Sequence, residues 1–198
     1  DYNVNARNWS SFFSRNTVDL NQPYVLLTIK SIIDKCGGSF NVCLIDDDSF
    51  TNIIPGWNVD MSRAAEPIRS KMRDLALARI LKCYGGLIVP PSFLCTKNLI
   101  GAYKKMTANG CLMTASMVNT NITSAHVDYM LSNKMLGCQK NCPLIDQYIQ
   151  YLEHLVSTDY TSESVFEGNA DRWLLIPRSG INVINPELTG SCDVDGNV

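Results

Sequence analysis

Three adjacent carboxylates, Asp46, Asp47 and Asp48, follow the apolar run SFNVCLI at residues 39–45. Oxygen ligands at that density suit a divalent cation. The same residues suit a plainer task, in which Asp47 or Asp48 caps a helix starting near Ser49 and the others are solvated. A further carboxylate, Asp74, lies inside IRSKMRDLALARILKCYGG, a segment closed by Tyr84, Gly85 and Gly86. The apolar stretch after it ends at Pro90, Pro91 and Ser92, where no carboxylate stands. His126 and Asp128, two apart in SAHVDYM, would share one side of a strand and could pair as base and orienter. No serine or cysteine nucleophile accompanies them in a recognisable motif, so a histidine without catalytic duty is the preferred reading.

Eight cysteines are present, several inside apolar runs where a thiol behaves as a small hydrophobe. The chain is not a short disulfide scaffold, which favours free thiols in a reducing compartment. The pair to watch is CQKNC, where Cys138 and Cys142 could close a disulfide or supply half a metal site. With two histidines in the chain and no CxxC pair, a zinc set is not completed.

The elements that would position these residues follow from apolar periodicity. NQPYVLLTIKSIIDKCGG predicts a helix with Pro23 in its first turn, Leu26, Ile29 and Ile33 on its buried face, and Gly37 and Gly38 at its end. Residues 39–45 then predict a buried strand, and residues 49–54 a short helix. The strongest helix starts at Pro67, with Ile68, Met72, Leu75, Ala76, Ile80 and Cys83 along one face, and Gly85 and Gly86 ending it before a strand at 87–89. Residues 111–118 predict another strand. CPLIDQYIQYLEHLVS predicts a helix burying Ile145, Tyr148, Ile149, Leu152, Leu155 and Val156, and RWLLIPRSGINVINPELTG predicts one or two edge strands broken by Pro177 and Pro186. Residues 1–20 read as an irregular lead-in. Two successive helix–Gly-Gly–strand units imply an α/β fold with a mainly parallel central sheet and helices on both faces.

The segment IRSKMRDLALARILKCYGGLIVPPSFL resembles the central signature of the family 32 glycosyltransferases, which include capsular-polysaccharide and mannosyltransferase-like proteins. FNVCLIDDDSF is similar to the strand and acidic turn upstream of it in that family. A looser similarity is to glycosyltransferase-like proteins of large DNA viruses. The resemblance implies the nucleotide-sugar-binding α/β fold called GT-A, although its usual first strand is not evident. It further implies that Asp74 faces the donor sugar, that Tyr84, Gly85 and Gly86 form the turn beside it, and that an Asp-x-Asp motif holds manganese or magnesium against the donor diphosphate. That motif falls on Pro90, Pro91 and Ser92, and the family's arginine falls on Leu77. Arg79 is no substitute, since two positions along a helix turn it about 200° away. Without the acids, the charge that grows on a departing nucleotide has no counter-ion.

Such a chain is expected to be a catalytically degenerate glycosyltransferase-like module with a structural or binding role, needing no cofactor. Its expected partners are other protein subunits, in a viral setting those of a capsid or scaffold. The alternatives are an active transferase that uses Asp74 with manganese or magnesium held by Asp46, Asp47 and Asp48, or a lectin-like module that keeps glycan binding. At 198 residues, 45% hydrophobic and 18% charged, the chain is expected to form one domain of a longer protein. A net charge of −2 gives no case for nucleic acid. No apolar run is long enough to span a bilayer. A cytoplasmic or virion location is expected ahead of a secretory lumen.

Overall fold

Helix α1 (Gln22–Cys36) opens the part of the chain that the computed structural model describes, residues 22–118, 129–158, 163–176, 179–192 and 195. It belongs to the smaller of two compact units, made of Asp1–Val42 and Pro91–Asn98; the larger is made of Cys43–Pro90 and Leu99–Val198. Within the smaller unit, α1 is seated through a polar stripe. The Tyr24 hydroxyl donates to the Ser92 carbonyl (3.1 Å), that of Thr28 to the Pro91 carbonyl, and the Ser31 oxygen accepts from the Cys95 amide (2.8 Å). Residues four and three apart share a helix face, so these three line up. The expected apolar face is not the buried one: Leu26 and Ile33 are exposed, while Thr28 and Cys36 are buried.

In the larger unit, a 3₁₀ turn at Asp47–Ser49 leads into the one-turn helix α2 (Phe50–Ile53). Residues 43–45, like 41–42 before them, carry no ladder, and Leu44 is 78% exposed. The buried strand expected at 39–45 is therefore absent: residues 41–44 face solvent, so the apolar run has no sheet to bury it. Helix α3 (Ile68–Tyr84) then runs to Gly85 and into strand β1 (Gly86–Leu87). Its core face carries Leu75, Ala78 and Leu81 beside Ala76 and Ile80, rotated from the expected stripe, and Ile68 is exposed.

After α4 (Ile100–Met106) come β2 (Leu112–Val118), β3 (Tyr129–Cys138), α5 (Pro143–Thr158), α6 (Glu163–Leu175), β4 (Ile181–Ile184) and the single turn α7 (Pro186–Thr189). The sheet order is β1-β3-β2-β4; β3 is antiparallel to both β1 and β2, and only β2 and β4 run parallel. The α/β class holds, but the mainly parallel sheet does not. Its physical reason is the connection between β2 and β3, about ten residues against the dozen or more that a parallel crossover needs. The C-terminal segment also departs from expectation. Phe166, Ala170, Trp173 and Leu174 recur at helical spacing and are all buried, so Trp173 and Leu174 lie near the end of a helix, and among the described residues of this segment Ile181–Ile184 alone forms an edge strand. Helix α5 buries the expected Ile145, Tyr148, Ile149, Leu152 and Leu155, with Val156 partly buried. Together α3, α5, α6 and the inner residues of β2 and β3 form one hydrophobic core.

Candidate functional site

The pairing of β2 with β3 slips between Thr114, opposite Leu136, and Ala115, opposite Ser132. That leaves Asn133, Lys134 and Met135 without partners on β2, a bulge that redirects side chains out of the ladder. The Asn133 side-chain amide donates to Asp74 Oδ2 on α3 (2.9 Å), and its backbone amide donates to Asp171 Oδ1 on α6 (2.9 Å). Lys134 Nζ lies 2.6 Å from Glu167 Oε1 and 3.5 Å from Asp74 Oδ1. Glu167 and Asp171 are one helical turn apart, so both acids of α6 face the bulge.

Burial raises Asp74 above the ordinary carboxylate range, against the pull of Lys134 and of the Asn133 hydrogen bond. Asp171 is pushed up to about 7 by burial, with Glu167 adding to the effect and the Asn133 amide opposing it. Lys134 loses by burial but is held above its usual value by Asp74, Glu167 and Asp171. Tyr148 of α5 completes the group: its hydroxyl is buried, and burial with the nearby Asp74 and Asp171 raises it well above a normal phenol. Among the described residues neither that hydroxyl nor Asn133 Oδ1 meets a partner in full hydrogen-bond geometry, although the Asn133 side chain is near enough to pull the phenol down against the effect of burial. Between them lies a cavity of about 10 Å³, lined by Asp74, Leu77, Ala78, Asn133 and Tyr148 among others. That is room for about one water.

The acidic turn forms a separate place. Asp46, rather than Asp47 or Asp48, caps the Asp47–Ser49 turn by accepting from the Ser49 amide (3.0 Å) and hydroxyl, which lowers its pKa. Asp47 gives both carboxylate oxygens to Arg73 of α3, at 2.8 and 2.7 Å, and the bond from Arg73 lowers its pKa. Asp48 lines a cleft of about 530 Å³ with Asp47, Thr51, Asn58, Asp60 and others. Trp57 also lines it, though the residue is only 4% exposed and so offers little surface to a ligand. Among the described residues no group of three or more histidines, cysteines or carboxylates is placed to hold a metal ion. With Asp47 committed to Arg73 and Asp46 to Ser49, the three acids do not fit a shared divalent cation.

The last residue of α3 and those that follow it are engaged within the fold. The Tyr84 hydroxyl donates to the Ile53 carbonyl (2.7 Å). Gly85 has φ +69, and a Cβ there would meet the Lys140 amide nitrogen at 2.6 Å. The Gly86 amide donates to the Tyr103 hydroxyl, which donates to the Cys138 carbonyl (2.9 Å). Pro90 ends a segment of the larger unit, whereas Pro91 and Ser92 belong to the smaller one and lend their carbonyls to α1. Arg79 pairs with Glu153 at 2.6 Å. Cys138 and Cys142 are free thiols, each directed at a backbone carbonyl, of Leu81 and Gly110 respectively. His126 and Asp128 lie outside the described residues.

Sequence reasoning found Asp74 but missed Asn133, Lys134, Tyr148, Glu167 and Asp171. The available signals were the polar SNK triplet inside an apolar strand and the i, i+4 acids of α6. No family model matches the chain, nor does any curated protein or solved structure.

Proposed function

We propose that this chain is a non-catalytic, glycosyltransferase-like module whose role is to bind or to build, not to transfer sugar. The observation that carries the reading is the state of Asp74. It is held by Asn133 and Lys134 beside a cavity of about 10 Å³, whereas small-molecule sites run to about 300 Å³ and more. A carboxylate so engaged serves packing, and Leu77, which lines the same cavity, supplies no charge for a nucleotide. Protein subunits are the proposed partners, and the particle shell or scaffold of a large virus is the setting that the sequence resemblance suggests.

A second reading is favoured by one feature, the cleft of about 530 Å³ beside Asp48 and Asn58, which is large enough for a small ligand. A lectin-like module or a metal-independent transferase would use it. Thermal-shift titration of the purified protein with UDP, GDP and their sugar conjugates, each with and without manganese, separates these readings. A ligand at a hundredfold excess over its dissociation constant stabilises a fold by about 2.7 kcal/mol. No shift with any nucleotide is expected. A manganese-dependent shift with one of them refutes the non-catalytic reading, and a shift with free oligosaccharides alone selects the lectin.

A further inference from the structure

Cys36 closes α1, and Cys95 lies in the irregular stretch of the same compact unit; their sulfurs are 3.7 Å apart. Both side chains are buried, at 3% and 2% exposure, 59 residues apart in sequence. We propose that Cys36 and Cys95 are a reversible dithiol–disulfide site, oxidised by low-mass disulfides of the glutathione class, that fastens residues 91–98 to α1.

The geometry asks for little. A disulfide brings sulfurs to about 2.05 Å, so the approach needed is about 1.7 Å. Residues 93–96 carry neither helix nor strand. What holds Cys95 is the bond from its amide to Ser31 Oγ (2.8 Å) and its own thiol's bond to the Lys97 carbonyl (3.1 Å), so the sulfur can move without breaking a ladder. Side-chain bonds at Tyr24, Thr28, Ser31 and Asn98 tie this stretch, which has neither helix nor ladder at 93–96, to its unit, and local opening of the segment admits the oxidant. One protein thiolate attacks the glutathione disulfide, forming a mixed disulfide and expelling a glutathione thiolate. The second protein thiolate then displaces the remaining glutathione. Two protein thiols thereby lose two electrons and two protons, and one glutathione disulfide becomes two glutathione thiols. Burial and the neighbouring Cys36 push the Cys95 thiol up to about 11, so exchange is slow at neutral pH and quickens as pH rises.

The test is oxidation of the native, full chain in glutathione buffers of rising oxidised fraction, followed by alkylation of remaining thiols, tryptic digestion and mass spectrometry. Cleavage after Lys35 and Lys82 leaves Cys43 beside Cys36 and Cys83 beside Cys95, so a Cys43→Ser, Cys83→Ser background makes the assignment unique. The expected product is one intramolecular link joining Cys36 to Cys95, lighter by two hydrogens and reversed by dithiothreitol. The linked protein should melt several degrees higher than the reduced one, because the bridge constrains the unfolded chain. Cys95→Ala should show neither link nor rise. Cys36 and Cys95 that stay alkylatable at the most oxidising ratio, or that join other cysteines, overturn the proposal.

Discussion

Asp171→Asn is the substitution that interrogates the bulge cluster most directly. An acid whose pKa rises from an ordinary 3.8 to about 7 on folding stabilises the fold fully below pH 4 and progressively less between pH 4 and 7. Above pH 7 the native state holds an ionised, partly buried carboxylate. At 1.36 kcal/mol per decade the full difference is about 4 kcal/mol. Partial solvent contact reduces this to roughly 2 to 3 kcal/mol. The groups facing Asp171 are Asn133 and Lys134 from β3, Glu167 on its own helix, Asp74 from α3 and Tyr148 from α5.

An asparagine at 171 keeps an oxygen to accept the Asn133 amide but cannot ionise. The wild-type protein should therefore lose stability from pH 4.5 to 7.5 relative to the variant, and at pH 8 the variant should be the more stable. For a chain of about this length each kcal/mol moves Tm by about 2–4 °C, so the gap at pH 8 should be roughly 4 to 12 °C. Urea unfolding followed by circular dichroism at five pH values, with melts at the same values, measures it. Parallel pH profiles for the two proteins, or a variant less stable at pH 8, would refute the placement of Asp171 in a desolvated cluster. Asp74 is raised by the same cause, so Asp74→Asn should change the profile in the same direction.

Gly85→Ala should cost roughly 2–4 kcal/mol in urea unfolding, since it adds a Cβ 2.6 Å from the Lys140 nitrogen at φ +69; an unchanged midpoint would mean the turn can open. A double-mutant cycle on Asp47 and Arg73, both about one-quarter exposed, should give a coupling of about 1 kcal/mol for this two-point ion pair, and zero coupling would mean the pair does not persist in solution. Introducing acids with Pro90→Asp and Ser92→Asp should produce no manganese-dependent thermal shift with UDP or GDP, because Asp74 stays engaged by Asn133 and Lys134; such a shift would show that this engagement does not prevent nucleotide binding.

Helices were legible wherever an apolar stripe repeats within one segment. Helix α5 was readable almost residue by residue, and α3 in extent though not in rotation, because Ala78 and Leu81 face the core and Ile68 does not. Sheet topology was not legible. A strand of two residues, Gly86–Leu87, leaves no period to detect, and the antiparallel pairing depends on the length of the β2–β3 connection rather than on composition. Helix α6 was misread because Pro177 and Pro186 drew attention to breaks, while the Phe166, Ala170 and Trp173 spacing pointed to a helix. In the candidate site, Asp74 stood out through its motif. Its partners lie on β3 and α6, about 60 and 100 positions away, and only the folded sheet brings them together. The nearness of Cys36 and Cys95 was invisible for the same reason, whereas Cys138 and Cys142 drew notice by being close in sequence.

The resemblance of the segment around Asp74 to a donor-sugar signature and its position in the folded chain offer different explanations for the residue, and the second is sufficient. Remove its carboxylate, and the Asn133 side-chain amide loses its acceptor while Lys134 keeps one fewer counter-charge among the half-buried groups of the bulge. Leaving a buried donor unsatisfied costs about 1–3 kcal/mol, more where a charge is involved. A hydrogen-bond acceptor at 74 is thus held in place by the bulge whether or not any sugar is bound. The acids of a metal-binding Asp-x-Asp would have no such second duty here, since the chain at Pro91 and Ser92 offers only backbone carbonyls to α1, and proline and serine serve for that. On the proposed reading, a fold would keep a residue that its packing uses, as Asn133 and Lys134 use Asp74, and need not keep those that only chemistry uses.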